Sequence, residues 1–463
     1  MPKKSTTPSW LGAALDYIPR WLEFQVQETQ QPGCAIAVVH RGKRVLDEAF
    51  GVADIDRNTH LTPKHRFRVA SHSKSFTAAG IMRLRESRAL RLDAAVGQYV
   101  HGLHERVAAT TLRQLLSHGS GIHRDGRDSG QWDLRRPFLD DAALRADLAT
   151  PPTLEADTRF KYSNHAFGLL GLVIEATTGE PYSTWIRREI VGRAGLAHTQ
   201  PDAPVARGVP MSEGHTGRSP LGRRLTLGRD LPTHALASAT GFVSTAGDLA
   251  SFFDQLDRRS DSTLLSAASR REMTRRHRDI PGVPAGREYG LGIIRGRLGR
   301  TQWFGHSGSF PGYLSRTCVL PAERVTLSIV TNSIDAPAQF WVDGAIDIIK
   351  TFAQRGAPTG SARSWTGRWW NIWGALDLVP VGNGVMVTRP VQTSPFVGAS
   401  ELTVRGNSGR ITQADGFATY GEAVRIVRDR RGKATTLWLG GAQMVPHDAN
   451  VAVMKRLAKK RSA

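Results

Sequence analysis

The stretch Phe67-Arg-Val-Ala-Ser-His-Ser-Lys74 decides how the rest of this chain is interpreted. An extended segment turns there into the helical pattern of residues 76–90, and the three-residue spacing places Ser71 and Lys74 on one helical face. A serine hydroxyl becomes a nucleophile when a neighbour takes its proton, and a desolvated lysine is able to do so. This Ser-x-x-Lys occurs once in the chain and predicts a nucleophile beside its base. Taken alone, the same four residues also fit an exposed helix surface.

A second candidate is Tyr162-Ser-Asn164, which follows Arg159-Phe-Lys161 and opens the helical pattern of residues 165–178. Two neighbouring cations would lower the pKa of the Tyr162 phenol and make it a general base. The Asn164 amide would orient Lys74 and a substrate carbonyl. A buried tyrosine followed by a helix-capping asparagine is the structural alternative.

The third candidate is His306-Ser-Gly308, which we expect to end a strand over residues 302–305. His-x-Gly also occurs at His40 and at His215, but the first lies in a predicted turn and the second in a polar stretch. Only the motif at His306 stands at the edge of a predicted strand with two further strands behind it.

Hydrophobic periodicity predicts a helix over residues 10–28 and a β-hairpin over residues 34–52. A mainly helical region follows, and strands return before a helix near residues 337–354. Strands thus stand at both ends of the region from residue 34 to residue 354, with helices between them. This order predicts an α/β fold in which the two ends form one sheet around a helical insert. The remaining predicted helices are 71–89, 111–118, 141–149, 165–178, 183–191 and 246–256, and the later strands are 289–297, 301–306, 314–320 and 325–332.

Residues 353–364 have the composition of a linker, and short alternating runs separated by turn residues follow them. That rhythm predicts a small antiparallel β-barrel. We therefore expect two domains, residues 1–355 and residues 356–463, the second ending in a basic tail. The predicted barrel strands are 375–381, 385–388, 401–405, 423–428 and 435–439, and its first residues include Trp365, Trp369, Trp370 and Trp373, which we expect in the core rather than on a docking surface.

The charge balance is strongly basic, with 62 Lys and Arg against 41 Asp and Glu and a net charge of +21. Charge alone does not identify a nucleic-acid or membrane ligand, and no zinc-finger or RNA-binding pattern accompanies it, so we expect no nucleic-acid partner. No apolar stretch approaches the ~20 residues of a membrane span. The two cysteines exclude a disulfide scaffold. No signal-peptide pattern is evident, so we expect a cytoplasmic protein.

In this order the three motifs resemble the Ser-x-x-Lys, Tyr-x-Asn and Lys-Thr-Gly signature of class C β-lactamases, DD-peptidases and related serine hydrolases, the β-lactamase-related or CubicO-like family. The resemblance covers about residues 20–350. It implies an α/β (α+β) fold in which helices and a helical subdomain flank an antiparallel sheet. The C-terminal part resembles the lipocalin-like barrel that some members carry, among them D-stereospecific peptidases.

The resemblance also implies roles for individual residues. Ser71 attacks the carbonyl and forms an acyl-enzyme, and Lys74 and Tyr162 exchange its proton. Asn164 positions Lys74 and the substrate. The backbone N–H groups of Ser71 and Ser309 form an oxyanion hole. Neither a metal nor an organic cofactor is implied.

The third motif departs from the β-lactamase pattern because His306 stands in place of a lysine, beside the substrate-binding residues Ser307 and Gly308. A largely neutral imidazole is a weaker anchor for a substrate carboxylate than an ammonium group. An arginine in the loop of residues 123–136 is the competing anchor.

We therefore expect a small-molecule amide or peptide substrate, with D-amino-acid peptides among the candidates. A small-ester esterase and a β-lactamase of the same family are the alternatives, and an acyl-binding scaffold protein is the non-enzymatic one. The natural substrate, its stereochemistry and the oligomeric state, a homo-oligomer included, stay open.

Overall fold

The computed structural model describes residues 7–219, 221–283, 286–414 and 419–461. Its contacts divide the chain into two compact units. The sheet unit is Gln30–Val342, and the barrel unit contains the described residues up to Thr29 and from Asp343 onward. This division differs from the expected boundary between residues 355 and 356. That the two expected domains fold separately stays a prediction.

The α-helices among the described residues are α1 (Ser9–Glu28), α2 (Ser73–Glu86), α3 (Glu105–Ala108), α4 (Leu112–Leu116), α5 (Asp141–Leu148), α6 (Asn164–Thr178), α7 (Tyr182–Ile186), α8 (Ala246–Gln255), α9 (Ala267–Thr274), α10 (Ala338–Arg355) and α11 (His447–Arg461). The strands of the sheet unit are β1 (Gly33–His40), β2 (Lys43–Asp54), β3 (Thr59–His60), β4 (Phe67–Arg68), β5 (Gly214–His215), β6 (Thr226–Gly228), β7 (Val243–Ser244), β8 (Arg278–Asp279), β9 (Glu288–Tyr289), β10 (Ile294–Leu298), β11 (Thr301–Phe310), β12 (Tyr313–Leu320) and β13 (Val325–Thr331). Those of the barrel unit are β14 (Gly367–Asn371), β15 (Gly374–Val381), β16 (Gly384–Thr388), β17 (Ser400–Arg405), β18 (Ser408–Gln413), β19 (Ala423–Arg428), β20 (Ala434–Leu439) and β21 (Ala442–Met444).

The main sheet has nine strands in the order β3-β2-β1-β13-β12-β11-β10-β9-β8. Strand β1 joins the two ends of the segment, because Cys34 lies opposite Phe50 of β2 on one side and opposite Thr331 of β13 on the other. Helices α2 to α9 lie in the chain between β3 and β8. The same part of the chain also contains two short two-stranded sheets, β4 with β7 and β5 with β6. The expected α/β architecture, a sheet made from both ends around a helical insert, is therefore confirmed.

The first turns of α2 are buried on every side. All side chains from Ser73 to Met82 are withdrawn from solvent, and Phe76 stacks between Phe242 and Phe252 at ring-centroid distances of 4.3 and 3.9 Å. A helix buried all round must place any polar side chain in a dry environment. Lys74 is such a side chain, so its amine lies in an environment without water.

Strand β11 is longer than the sequence pattern predicts, since it runs to Phe310 and the predicted strand ends at residue 306. The turn Pro311-Gly312 connects it to β12, and Gly312 has the positive φ of +89° that such a tight connection requires. Both strands therefore stay paired up to Phe310 and Tyr313. The motif His306-Ser-Gly308 lies inside the sheet rather than at a strand end.

The barrel unit contains eight antiparallel strands, β14 to β21 in sequence order. A bridge between Trp370 and Val445 brings the last strand back to the first, so the barrel is nearly closed. This confirms the predicted β-barrel, although β14, β18 and β21 were not predicted. Trp365 and Trp369 are buried in its core, whereas Trp373 is 92 % exposed.

The basic tail forms part of α11, and the side chains of residues 460 and 461, together with residues 462 and 463, lie outside the part that the structure describes. Along the described ranges no helix combines the length and the apolar character needed to cross a membrane.

Helix α1 confirms the helix expected over residues 10–28 and belongs to the barrel unit. The Tyr17 hydroxyl donates to the Asp377 carboxylate at 3.1 Å, and the Trp21 indole donates to the carbonyl of Gln392 at 3.0 Å. Arg368 contacts both oxygens of Asp377, at 2.7 and 2.9 Å. A fully buried carboxylate therefore joins the helix to two neighbouring barrel strands.

We expect Asp377→Ala to lower the free energy of unfolding by about 3 kcal/mol, because it removes the buried carboxylate that pairs with the Arg368 guanidinium and accepts from the Tyr17 hydroxyl. The control is Glu401→Ala, which breaks the more exposed ion pair with Arg355 (2.6 Å) and is expected to cost about 1 kcal/mol or less. Urea unfolding followed by tryptophan fluorescence measures both changes. Equal losses in the two variants would contradict the structural role of Asp377.

Candidate active site

Ser71 stands on a sharp turn between β4 and α2. The turn is a 3₁₀ segment, Ala70–His72, and Ala70 has φ = +47°, a conformation that is uncommon for a residue with a side chain. The buried His72 ring holds the turn against β12, with its Nε2 3.0 Å from the Thr317 hydroxyl. Ser71 remains only partly buried while the residues on both sides of it are buried.

Lys74 lies fully buried beneath this turn. Its Nζ is 3.2 Å from Ser71 Oγ, 2.7 Å from Asn164 Oδ1 and 2.8 Å from the carbonyl oxygen of Ala239. Ala239 belongs to a π-helical turn, Ala237–Gly241, and nothing in its sequence signalled this contact. Burial holds the pKa of Lys74 well below its ordinary value, and the nearby charge of Asp125 opposes that shift only in part.

The Tyr162 hydroxyl donates to Ser71 Oγ at 2.7 Å. The expectation that neighbouring cations lower its pKa is wrong. Loss of hydration raises the pKa of Tyr162 above its ordinary value, and the cation that opposes this rise is Arg124 rather than Arg159 or Lys161. Tyr162 is therefore a neutral phenol at physiological pH.

Asp125 is a part of the site that the sequence analysis missed. Its Oδ1 accepts from Asn164 Nδ2 at 2.6 Å and from Trp132 Nε1 at 2.9 Å, and its Oδ2 lies 3.0 Å from Nε of Arg124. A carboxylate only accepts hydrogen bonds, so it turns the amide nitrogen of Asn164 toward itself and the amide oxygen toward Lys74. Only its place in the loop of residues 123–136, where we expected a competing arginine anchor, pointed toward it.

The third motif brings a neutral imidazole to the site. His306 is buried, its Nε2 lies 3.0 Å from the Tyr289 hydroxyl and its Nδ1 lies 2.7 Å from the carbonyl oxygen of Ser307. Burial holds the pKa of His306 well below its ordinary value. It therefore supplies no positive charge near neutral pH.

At Gly308, strand β11 packs closely against the backbone just before the turn that carries Ser71. A Cβ atom at this position would overlap the carbonyl oxygen of Val69 and lie 2.6 Å from the Ser315 hydroxyl. Only glycine lets the two backbones lie this close.

A cavity of about 960 Å³ opens above these residues. It is lined by Ser71, Tyr162, Asn164 and the four consecutive residues 306–309. Lys74 lies below the floor rather than in the wall. Every residue that the three sequence motifs singled out is thus at this cavity or directly beneath it.

The sequence profile of the Beta-lactamase family matches residues 19–342, well over half of the chain. A curated relative, Protein flp of Staphylococcus aureus strain COL, is 29 % identical over 185 residues, 38 % of this chain and 36 % of flp. D-aminopeptidase of Brucella canis is 27 % identical over 320 residues, 66 % of this chain and 57 % of that protein. The chain therefore spans about a third of flp and somewhat over half of the D-aminopeptidase.

The fold is also similar to a solved structure, the octameric penicillin-binding protein homologue from Pyrococcus abyssi. The TM-score is 0.66 at 20 % identity, and the match covers 93 % of this chain and 100 % of that one. At this level of identity the likeness concerns the fold alone.

The close approach at Gly308 can be tested directly. We expect Gly308→Ala to slow the reaction of Ser71 with a serine-directed phosphonate by about 10²-fold, since the added methyl group pushes β11 away from the Ser71 turn. Mass spectrometry of the labelled protein over time gives the rate. Gly441→Ala is the control, because a Cβ atom there meets no atom of the described residues within 4 Å. Equal labelling rates would contradict the constraint.

Proposed function

The chain belongs to the Beta-lactamase family, and we propose that it is a serine hydrolase that opens amide bonds through an acyl-enzyme on Ser71. The observation that carries the proposal is the double contact at Ser71 Oγ, with Lys74 Nζ at 3.2 Å and the Tyr162 hydroxyl at 2.7 Å. Two groups able to move a proton thus meet at one serine oxygen. A protein that only bound acyl groups would not require this arrangement.

Lys74 is the base that activates Ser71. A neutral amine has two N–H donors and one lone pair, and Lys74 has two carbonyl acceptors, Asn164 Oδ1 and the Ala239 backbone. The lone pair then faces the remaining contact, the Ser71 hydroxyl. The lowered pKa of Lys74 favours this neutral form, so the proton of Ser71 passes to Nζ as Oγ attacks the carbonyl carbon.

Tyr162 serves the leaving group. Its raised pKa keeps the proton on the phenol until the tetrahedral intermediate collapses. Tyr162 then gives that proton to the departing nitrogen or oxygen, and the proton held on Lys74 restores it. The reverse transfers activate a water molecule that releases the acyl group from Ser71, which returns the enzyme to its starting state.

The negative charge of the intermediate needs donors on the other side of the carbonyl. We propose the backbone N–H groups of Ser71 and Ser309, two residues that line the same cavity. The close packing at Gly308 holds β11 beside the turn of Ser71 and so keeps these donors near each other. Donors of this kind are typically worth a factor of ~10²–10³ each.

An amide or peptide substrate is favoured over a β-lactam. A β-lactam carries a carboxylate beside the scissile bond, and the neutral His306 offers it no charge. Arg124, the arginine of the 123–136 loop that lines the cavity, already lies 3.0 Å from the Asp125 carboxylate. The similarity to a D-aminopeptidase supports amide bonds, D-amino-acid peptides included. An ester is cleaved by the same groups with an easier leaving group, so esterase activity is the alternative. A homo-oligomer and a cytoplasmic location stay predictions.

Replacing the nucleophile tests the proposal. We expect Ser71→Ala to abolish labelling by a serine-directed phosphonate and nearly all hydrolysis of amino-acid amides and short esters. The control is Ser87→Ala, at the C-terminal end of α2, which should label and react normally. Labelling that survives in Ser71→Ala would overturn the assignment of the nucleophile.

Asp125→Asn tests the protonation state of Lys74. The carboxylate raises the pKa of Lys74, so removing its charge lowers that pKa further. Since neutral Lys74 is the base, the acidic limb of the pH profile of kcat/KM should move to lower pH. We also expect kcat to fall by about 10- to 10²-fold, because the Asn164 amide can then turn away from Lys74.

Asp128→Asn is the control for this experiment, since it removes an exposed carboxylate of the same loop. Its pH profile should be unchanged. An acidic limb that stays in place in Asp125→Asn would contradict Lys74 as the base.

A further inference from the structure

Three large apolar side chains of the sheet unit remain exposed around the cavity that contains Ser71. They are Leu134, Ile334 and Phe340, which are 40, 47 and 58 % exposed, and all three line that cavity. They come from separate segments: the loop before α5, the segment after β13 and the first turn of α10. Apolar surface concentrated around one cavity marks a binding site, whereas single exposed side chains scattered over a protein do not.

The inner wall continues this apolar surface. Leu227, Phe310, Pro311 and Leu314 line the cavity below the rim. A volume of about 960 Å³ lies at the upper end of the range for pockets that hold drug-sized ligands. A short acyl group or a small amino-acid amide would leave most of this apolar wall in contact with water.

The charged groups of the wall are already paired. The described lining residues with a formal charge are Arg124 and Asp133. Arg124 Nε lies 3.0 Å from Asp125 Oδ2, and Asp133 Oδ2 lies 3.3 Å from Arg135 Nη2. His306, in the same wall, is neutral. The wall therefore has little unpaired charge to bind a small zwitterion. It has a large surface that an apolar group can contact.

We propose that the substrate carries a bulky apolar group, an aromatic ring or a medium-length alkyl chain, beside the bond that Ser71 opens. This inference rests on the proposed hydrolase function and names the substrate class for it. The apolar group covers Leu134, Ile334 and Phe340 and removes their exposed surface from water. Selectivity then comes from the rim, while the reacting groups on the floor are common to all substrates.

Two series of esters test the proposal. In the first, the acyl group of p-nitrophenyl esters lengthens from acetyl to octanoyl. In the second, an acetyl group is kept and the alcohol lengthens from methyl to octyl. We expect kcat/KM to rise about three- to fourfold for each methylene that the wall covers, in at least one series. The series that responds shows on which side of the scissile bond the apolar group lies.

Substitution at the rim provides the second measurement. Phe340→Ser and Ile334→Ser should each reduce kcat/KM for the octanoyl or octyl ester by about tenfold and flatten the dependence on chain length. The control is Leu221→Ser, which removes a leucine that is 59 % exposed and does not line the cavity. The control should keep the wild-type dependence.

The outcomes separate this inference from the function on which it rests. If the acetyl esters are hydrolysed through Ser71 but kcat/KM does not rise in either series, the apolar substrate class is wrong and the hydrolase stands. An unchanged slope in both rim variants also overturns it. If Ser71 takes no phosphonate label and no ester is hydrolysed, the proposed function and this inference fail together.

Discussion

Keeping an amine charged inside a protein is unfavourable unless a carboxylate contacts it, and among the described residues no carboxylate contacts Lys74. Besides Ser71, its hydrogen-bond partners are neutral oxygens of Asn164 and Ala239, which lie 90 and 165 residues further along the chain. The deep burial of α2 removes water from the amine, and these two oxygens replace that water without stabilising the charge as strongly as a carboxylate would. The reactivity assigned to Ser71 depends on this environment, because a charged ammonium group could not accept its proton.

The architecture of the sheet unit was accessible from sequence because it depends on patterns that extend over many residues. Each part has its own hydrophobic periodicity: the hairpin of β1 and β2, the late strands and the helical stretch between them. The structure confirms the α/β fold that these patterns predict. The end of β11 was misplaced because a Ser-Gly-Ser composition suggests a loop, whereas pairing with β12 determines where the strand ends. The grouping of α1 with the barrel was also beyond reach, since it rests on Asp377 and other residues more than 300 positions away.

The residues of the site also divide into those that sequence motifs reveal and those that they do not. Ser71, Lys74, Tyr162 and Asn164 were identified because they form two short motifs, and the structure brings them into contact. Asp125 was missed because it acts through a contact with Asn164 that no spacing encodes. The direction of the Tyr162 pKa was wrong because sequence reveals neighbouring charges along the chain but not the depth of burial, and here burial has the larger effect.

Gly308 leaves no room between β11 and the turn of Ser71, so the floor of the site tolerates little change. The rim is different, because Leu134, Ile334 and Phe340 are exposed and can be exchanged without disturbing the packed interior. Under the proposed function, reaction chemistry and substrate choice are therefore encoded by separate sets of residues. Laboratory evolution of this chain toward other esters or amides would accumulate substitutions around the rim, and the nucleophile, its base and the glycine behind them would persist through every round.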